Sequence, residues 1–244
     1  MRQMSVECRA RRPRRAASRV IMKTTIIKDD DLSYAVEVLL RGGLVAVPTE
    51  TVYGLAGNGL DASAVAKIYE VKGRPAIKPL SLLVPDLNVA GTVCAVIPDS
   101  ARRLAGAFWP GPLTIVLPRR DTVPDIVTAG GDTIGVRCPD HPKTLELLRL
   151  AGVPAAAPSA NISDMPSPKS ANDVLGYFDG KIDCVIDGGI CALGFESTIV
   201  SLSGVSYQIL RQGALPEEDI ARVIGQKTER ALPEEDIARV IGQR

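Results

Sequence analysis

The chain of 244 residues holds few of the side chains from which metal and redox centres are built. It has one histidine, His141, and five cysteines, none of which lies in a CxxC pair. A single histidine excludes HExxH zinc chemistry and disfavours a histidine-rich centre, so we predict no metal held by protein side chains. Scattered single cysteines are typical of free thiols in a reducing compartment, which favours a cytoplasmic protein.

Aromatic residues and excess positive charge are also scarce, at 4% of the sequence and a formal net charge of +1. Proteins that mainly bind RNA stack bases on aromatic rings and carry a strong basic excess. RNA is therefore disfavoured as the main ligand, although a local basic groove stays open. No apolar run reaches the roughly 20 residues that cross a bilayer, so we expect no membrane span.

The two common nucleotide-binding motifs are missing or incomplete. No GxxxxGK[ST] sequence is present, which excludes a Walker-type site. Gly57–Ala62 matches the dinucleotide pattern GxGxxA, but it begins several residues after a predicted strand, and no acidic residue follows at the required distance. We interpret it as a glycine turn before a helix whose N-cap is Asp61 or Ser63.

The two ends differ in composition from the rest of the chain. Residues 1–21 contain seven arginines and one acidic residue, which is typical of a disordered leader or a start codon assigned too early; a transit peptide is the alternative. The sequence ALPEEDIARVIGQ occurs at Ala214–Gln226 and again at Ala231–Gln243. We expect the first copy to close a domain at 22–226, and 227–244 to be an added helix or tail.

Between these ends, helical and strand-like patterns alternate without a long linker, which predicts a single α/β domain. The last strands follow one another without intervening helices, so we expect a twisted mixed sheet with flanking helices. The predicted helices are Asp31–Leu40, Ala62–Val71, Pro98–Phe108, Pro142–Leu150, Ser170–Phe178 and Pro216–Ile224. The predicted strands are Leu44–Val47, Leu80–Val84, Leu113–Leu117, Thr133–Arg137, Val153–Ala157, Asp183–Ile186, Thr198–Leu202 and Ser206–Leu210.

Hydroxyl and cationic residues cluster after the first predicted strand. Thr51 lies in a hydroxyl-rich turn that Gly54 allows to bend tightly. Lys72, Arg74 and Lys78 follow a predicted helix, with glycine and proline between them that hold the loop off the helical path. The cations can therefore converge on one ligand. This order predicts a site that holds a small polar molecule beside a polyphosphate.

Later segments place further polar groups at strand ends. Pro158–Asn161 (PSAN) suits oxyanion or phosphate binding, with a plain polar turn as an equal alternative. Arg211, two residues before Gly213, can bind a phosphate through two parallel hydrogen bonds, but an isolated arginine at such a position more often forms a surface ion pair. His141 is either a general base or, equally, a residue at a helix start.

Together these segments resemble the YrdC family, whose members are threonylcarbamoyl-AMP synthases. The resemblance runs in order from about Met22 to Leu215. It implies a twisted α/β sheet curved around a basic cavity. The motifs that carry it are PTETVYGL at 48–55, KGRPAIKPL at 72–80, GVRCPDHP at 135–142, PSAN at 158–161, STIV at 197–200 and LRQG at 210–213.

The resemblance implies an enzyme that joins L-threonine, bicarbonate or CO2, and ATP into threonylcarbamoyl-AMP and releases pyrophosphate. Mg²⁺ is expected with the ATP. It also implies partner proteins that transfer the threonylcarbamoyl group to an adenosine next to the anticodon, so that tRNA is an indirect partner.

The resemblance assigns roles to twelve residues of this sequence. The catalytic residues would be Lys72 and Arg74. The threonine-binding residues would be Thr51, Arg137, Ala157 and Ser197. The ATP-binding residues would be Arg74, Lys78, Thr133, Ser159, Asn161, Ser167 and Arg211. The chemistry of Arg137 suits its role, because a guanidinium binds a carboxylate through two parallel hydrogen bonds.

Two residues depart from the pattern of the family. Leu83 stands where members often have histidine, and Asp164 stands where glycine usually follows SANxS. These departures keep open a paralogue with another carbamoyl specificity. A non-catalytic relative that binds double-stranded RNA in the same cavity is the other alternative. The sequence ends before the second domain of longer members, so we expect the short, single-domain form.

Overall fold

The computed structural model describes residues 23–204 and 206–225. The expected leader at 1–21 and the expected tail at 227–244 lie outside these residues, as does the second copy of the repeat. The first copy contributes a helix whose apolar residues pack against the hydrophobic core.

The described residues form ten strands and eight helices. The strands are β1 (Thr25–Ile27), β2 (Val45–Val47), β3 (Gly54–Asn58), β4 (Ser81–Leu83), β5 (Leu113–Pro118), β6 (Thr133–Arg137), β7 (Ala155–Ala156), β8 (Cys184–Ile186), β9 (Thr198–Ser201) and β10 (Gln208–Arg211). The helices are α1 (Ser33–Leu40), α2 (Ala62–Lys72), α3 (Leu87–Val93), α4 (Asp99–Phe108), α5 (Asp125–Thr128), α6 (Pro142–Ala151), α7 (Ala171–Phe178) and α8 (Glu217–Ile224).

These strands form one sheet in the order β1-β8-β2-β3-β7-β4-β6-β5-β9-β10. The pairs β1/β8, β2/β8, β4/β6 and β5/β9 are parallel, and the remaining neighbours are antiparallel. The prediction of an α/β domain with a mixed sheet is confirmed.

The sheet separates two apolar layers, because successive strand residues point to opposite faces. Leu44 and Ala46 pack in one layer with α2, α4, α7 and α8. Val45 and Val47 pack in the other with α1 and α6. In the part of the chain that the structure describes, no helix combines the length and apolarity needed to span a membrane.

The two ends of α2 determine the position of Lys72, the first cation of the predicted loop. The Asp61 side chain accepts a hydrogen bond from the Ser63 backbone nitrogen at 2.8 Å, so the predicted N-cap at Asp61 is confirmed. Gly73 ends the helix with φ +58°, a left-handed conformation that glycine adopts readily. The helix therefore stops directly after Lys72, and the chain turns into the cationic loop.

The predicted turns at Gly54 and Gly57 are wrong, because both residues lie in strand β3. Both glycines lie within a strand that pairs antiparallel with β2 and β7. Glycine has a low strand propensity, but a Cβ on Gly57 would lie only 3.2 Å from side-chain carbons of Leu44 and Ile68. Close packing of the strand on its neighbours therefore overrides local propensity. The sequence patterns also fail to predict β1, α3 and α5, which are short elements of 3, 7 and 4 residues.

Candidate active site

One cavity of about 760 Å³ opens along the middle of the sheet and the loops beside it. All twelve residues to which the family resemblance assigns a role lie in its wall, although they come from separate parts of the chain. They are Thr51, Lys72, Arg74, Lys78, Thr133, Arg137, Ala157, Ser159, Asn161, Ser167, Ser197 and Arg211. The fold therefore brings the complete predicted set together, and their individual roles stay predictions.

Arg137, at the end of β6, is held in a fixed orientation in one corner of the cavity. Its Nε donates to the Gly111 carbonyl at 3.2 Å, and its Nη2 donates to Thr51 Oγ1 at 2.9 Å. Among the described residues, none hydrogen-bonds its Nη1. This nitrogen is therefore the one available to a carboxylate in the cavity.

Glu50 lies directly behind Arg137 and was not predicted as a site residue. Its Oε1 is 2.8 Å from Arg137 Nη2, and each of the two side chains is only 9% exposed. Oε1 lacks a well-aligned hydrogen bond, because the N–H groups of Nη2 are not directed at it. The contact is therefore a charge pair, while the other oxygen, Oε2, accepts the Asp140 backbone N–H at 3.0 Å. A buried carboxylate thus compensates the buried guanidinium.

Hydroxyl groups line the cavity wall beside Arg137. Thr51 Oγ1 is 2.8 Å from Thr49 Oγ1, and Ser197 Oγ is 2.9 Å from Thr114 Oγ1. Thr49 and Thr114 were missed by sequence reasoning. Thr114 lies inside the apolar strand β5, where nothing in the sequence distinguishes it from an ordinary strand threonine. Small hydroxyls at this place can hydrogen-bond a polar ligand of modest size.

Lys72 lies at the floor of the cavity and is 2% exposed. Its Nζ donates to the carbonyls of Ser159 and Asn161, each at 2.5 Å. Burial, with a smaller contribution from the nearby Arg74 guanidinium, lowers the pKa of Lys72 to about 7, whereas Glu196 acts in the opposite direction. The Lys72 side chain therefore holds the PSAN loop in place, and its pKa lies close to neutral pH.

The cationic loop after α2 is held by its own backbone carbonyls. Arg74 Nε donates to the Lys78 carbonyl at 3.2 Å, and its Nη2 donates to the Pro79 carbonyl at 3.0 Å. The Tyr69 hydroxyl donates to the same Lys78 carbonyl at 2.9 Å. Burial lowers the pKa of Arg74 from its ordinary value, but a guanidinium stays protonated. Nη1 of Arg74 has no hydrogen-bond partner among the described residues, so it is free to meet an anion.

The PSAN loop presents fewer free groups than its sequence suggests. Ser159 Oγ donates to Asn161 Oδ1 at 2.6 Å, and Asn161 Nδ2 donates to the carbonyls of Ile162 and Met165. The amide of Asn161 therefore shapes its own loop. It contributes to the wall mainly by holding Ser159 and, through its backbone carbonyl, Lys72.

The two departures from the family pattern both lie in the cavity wall. Leu83, at the end of β4, is buried and offers an apolar surface where a histidine would offer a hydrogen bond. Asp164 adopts φ +65°, a left-handed conformation that glycine adopts without strain and aspartate tolerates. Its carboxylate lies 3.9 Å from Lys78 Nζ and is largely exposed, so this ion pair is weak.

His141 is not among the residues that line the cavity. It caps the start of α6, and its Nε2 lies 3.5 Å from the Gly188 carbonyl. Burial lowers the pKa of His141, which keeps the ring neutral at neutral pH. Of the two interpretations that the sequence left open, the structure favours the helix-start residue.

Positive charge dominates the wall of this cavity. Five cationic and three acidic side chains contribute to it. The cations are Lys72, Arg74, Lys78, Arg137 and Arg211, and the acids are Asp132, Asp164 and Glu196. Among residues 23–204 and 206–225, no three histidine, cysteine or acidic side chains are grouped so that they could hold a metal ion. Fold and cavity thus define an α/β protein with a site for an extended anionic ligand.

Comparison with known families agrees with this class. The Sua5/YciO/YrdC family model, described as telomere recombination, matches residues 37–213. The chain belongs to this family.

Relatives from several organisms carry the name threonylcarbamoyl-AMP synthase. The protein of Pyrococcus abyssi is 48% identical over 200 residues, which are 82% of this chain and 59% of the relative. The protein of Bacillus subtilis is 43% identical over 198 residues, which are 81% of this chain and 57% of the relative. The chain therefore spans less than two thirds of the length of either relative.

Solved structures share the fold. The crystal structure of P. abyssi Sua5 complexed with L-threonine superposes with a TM-score of 0.82 at 46% identity, over 84% of this chain and 62% of that one. Escherichia coli YciO superposes with a TM-score of 0.72 at 25% identity, over 82% of this chain and 99% of that one.

Proposed function

We propose that this chain is an L-threonylcarbamoyladenylate synthase, which converts L-threonine, bicarbonate or CO2, and ATP into threonylcarbamoyl-AMP and pyrophosphate. One observation carries the proposal most directly. A single cavity joins a guanidinium set among hydroxyls, at Arg137, to a row of cations at Lys72, Arg74, Lys78 and Arg211. That arrangement suits an amino acid beside a triphosphate. The names of the relatives and the threonine complex of P. abyssi Sua5 support it.

The amino acid would bind in the corner of Arg137. The Nη1 group would donate a hydrogen bond to the threonine carboxylate and pair with its charge. Thr51 and Ser197 place hydroxyls beside it, and Ala157 contributes a small side chain that leaves room for the ligand. A site that hydrogen-bonds a substrate hydroxyl discriminates strongly against analogues that lack it.

The chemistry requires positioning and charge more than a protein nucleophile. The neutral threonine amine forms a C–N bond to CO2 and releases one proton to solvent, which gives a carbamate. An oxygen of this carbamate then attacks the α-phosphorus of ATP. A new P–O bond forms as the bond to pyrophosphate breaks, so the electron pair leaves with pyrophosphate. Holding the two reactants in line can supply about 7–11 kcal/mol of the barrier. Lys72, Arg74, Lys78 and Arg211 would stabilise the charge that develops on the phosphates, and Thr133, Ser159, Asn161 and Ser167 would complete the nucleotide site.

Mg²⁺ would enter as part of the nucleotide substrate. Because the described residues form no three-ligand metal cluster, the phosphates themselves would supply most of its oxygen ligands. The protein would then act on Mg·ATP, and its cations would bind the phosphate oxygens that the metal leaves free.

The adenylate would serve the threonylcarbamoyl modification of the adenosine next to the anticodon in tRNA. Partner proteins would take up this reactive product, and tRNA would be modified by them in the cytoplasm. Double-stranded RNA binding without catalysis remains the alternative, together with a carbamoyl acceptor other than threonine.

Nucleotide binding is expected to take up a proton at Lys72. In the ligand-free cavity this ammonium group has a pKa of about 7, and a bound polyphosphate raises that pKa. At pH 8 most Lys72 side chains are neutral before binding and protonated after it, so uptake approaches about one proton per ATP. Titration calorimetry in buffers of different ionisation enthalpy measures this number. Lys72→Met is the matched variant, and equal uptake in the variant and the wild type would contradict the assignment.

Pyrophosphate release from ATP tests the proposed function. The purified chain, incubated with Mg·ATP, is expected to release pyrophosphate only when L-threonine and bicarbonate are both present. Turnover that ignores threonine would favour another acceptor. Salt-sensitive binding of double-stranded RNA without any turnover would favour the non-catalytic alternative.

A further inference from the structure

A carboxylate that the proposed mechanism does not use lies among the groups assigned to ATP. Glu196 precedes β9, and its side chain is 40% exposed in the cavity wall. Its Oε2 pairs with Nη1 of Arg211, and its Oε1 accepts a hydrogen bond from Ser167 Oγ at 3.2 Å. One acidic side chain therefore holds two of the groups that are expected to bind phosphate.

The contact with Ser167 excludes simultaneous donation to a phosphate. A serine hydroxyl has one proton, and here that proton is given to Glu196. Ser167 can donate to a phosphate oxygen only after it leaves the carboxylate. The two anions thus compete for the same donor.

Arg211 is engaged in the same way. Its Nε and Nη2 donate to the Ser197 carbonyl at 3.2 and 3.0 Å, and its Nη1 pairs with Glu196. Arg74 differs, because its Nη1 has no hydrogen-bond partner among the described residues. Of these two cations, only Arg211 carries an internal anion on the nitrogen that would otherwise face the ligand.

The side chain of Glu196 is partly exposed, whereas its backbone is closely packed. The Glu196 carbonyl accepts the Ala214 N–H at 2.9 Å, and a Cβ on Gly213 would lie 2.4 Å from that same carbonyl oxygen. The backbone therefore packs closely on the LRQG segment. The partly exposed carboxylate can still rotate away from Ser167 and Arg211 without moving the strand.

We propose that Glu196 is an internal competitor of the substrate phosphates. It contacts Ser167 and Arg211 in the structure, and it yields both groups when the triphosphate binds. It would return to them as pyrophosphate departs, which favours product release and limits affinity for ATP. This inference rests on the proposed function, because it takes Ser167 and Arg211 as phosphate ligands.

Pyrophosphate binding to the purified chain, without threonine or bicarbonate, tests the competition directly. Titration calorimetry at pH 6, below the pKa of about 7 of Lys72, keeps that cation largely charged in the wild type. Glu196 raises the pKa of Lys72, so removing Glu196 can only reduce the charge of Lys72 and works against the expected gain. Glu196→Gln keeps the shape of the side chain and removes its charge. We expect it to bind pyrophosphate about tenfold more tightly, a gain that corresponds to about 1.4 kcal/mol. Glu196→Ala removes the acceptor of the Ser167 hydroxyl completely and is also expected to bind pyrophosphate more tightly than the wild type.

Asp132→Asn is the matched control. It removes the same charge from the cavity wall, but Asp132 is exposed and touches neither Ser167 nor Arg211, so solvent screening keeps its effect smaller. Equal or weaker binding by both Glu196 variants would overturn the proposal, as would an equal gain in Asp132→Asn. If the folded wild type binds neither pyrophosphate nor ATP, the proposed function fails as well; if all proteins bind equally, only the role of Glu196 fails.

Discussion

Replacing Arg74 with alanine is expected to lower threonine-dependent pyrophosphate release by about 100- to 1000-fold, the usual loss for one well-placed donor to developing charge. Two of its nitrogens donate to the carbonyls of Lys78 and Pro79, which fixes the guanidinium in the wall of the cavity. The guanidinium would therefore meet the phosphates without reorganising. Its loss removes both the charge and the anchor of the loop that carries Lys78.

Two further variants separate these contributions. Arg74→Lys keeps the positive charge but loses the planar fork, so we expect an intermediate rate. Arg103→Ala removes a cation from α4, where it pairs with Asp99 on the exposed surface, and is expected to keep full activity. An Arg74→Ala variant as active as the Arg103 variant would exclude Arg74 from the catalytic machinery.

Replacing Arg137 with methionine is expected to have two large effects. The Glu50 carboxylate, whose side chain is only 9% exposed, loses its counterion, and such a loss costs about 3–5 kcal/mol of stability. The threonine carboxylate loses its proposed partner as well, which should raise the KM for threonine by about 100-fold or more. Urea unfolding and steady-state kinetics measure the two effects separately, and the KM for ATP should change much less.

The double variant Arg137→Met/Glu50→Gln distinguishes stability from binding. Removal of the orphaned charge should restore most of the lost free energy of unfolding, since a neutral pair of similar volume has no charge to desolvate. Threonine binding should stay weak. If Arg137→Met alone is as stable as the wild type, solvent must reach the Glu50 carboxylate. If its KM for threonine is unchanged, Arg137 does not bind threonine.

The site could be predicted from sequence because its residues stand at strand ends and in loops beside glycine and proline. Glycine and proline alone predicted that the side chains of Lys72, Arg74 and Lys78 converge. The family resemblance added the remaining site residues. In the structure all of them line one cavity. The conformational preferences of glycine and proline depend on neighbouring residues only, so they can be applied without knowledge of the tertiary fold.

The carboxylates that control this site could not be predicted in the same way. Glu50 lies one residue before Thr51, yet its importance depends on Arg137, 87 positions away in the sequence. Glu196 gains its role only when β10 brings Arg211 beside it. Strand β3 was not predicted for a related reason, since Gly57 packs closely against Leu44 and Ile68 within the strand instead of forming a turn.

The identity of the nucleotide product decides whether this chain makes threonylcarbamoyl-AMP. The chain should be incubated with Mg·ATP, L-threonine and carbon-13 bicarbonate, and the products separated by mass spectrometry. We predict an adenylate that contains one threonine and one labelled carbon, formed in amounts equal to pyrophosphate. Formation of only AMP or ADP, without threonine or label, by a folded chain that binds ATP would contradict the account.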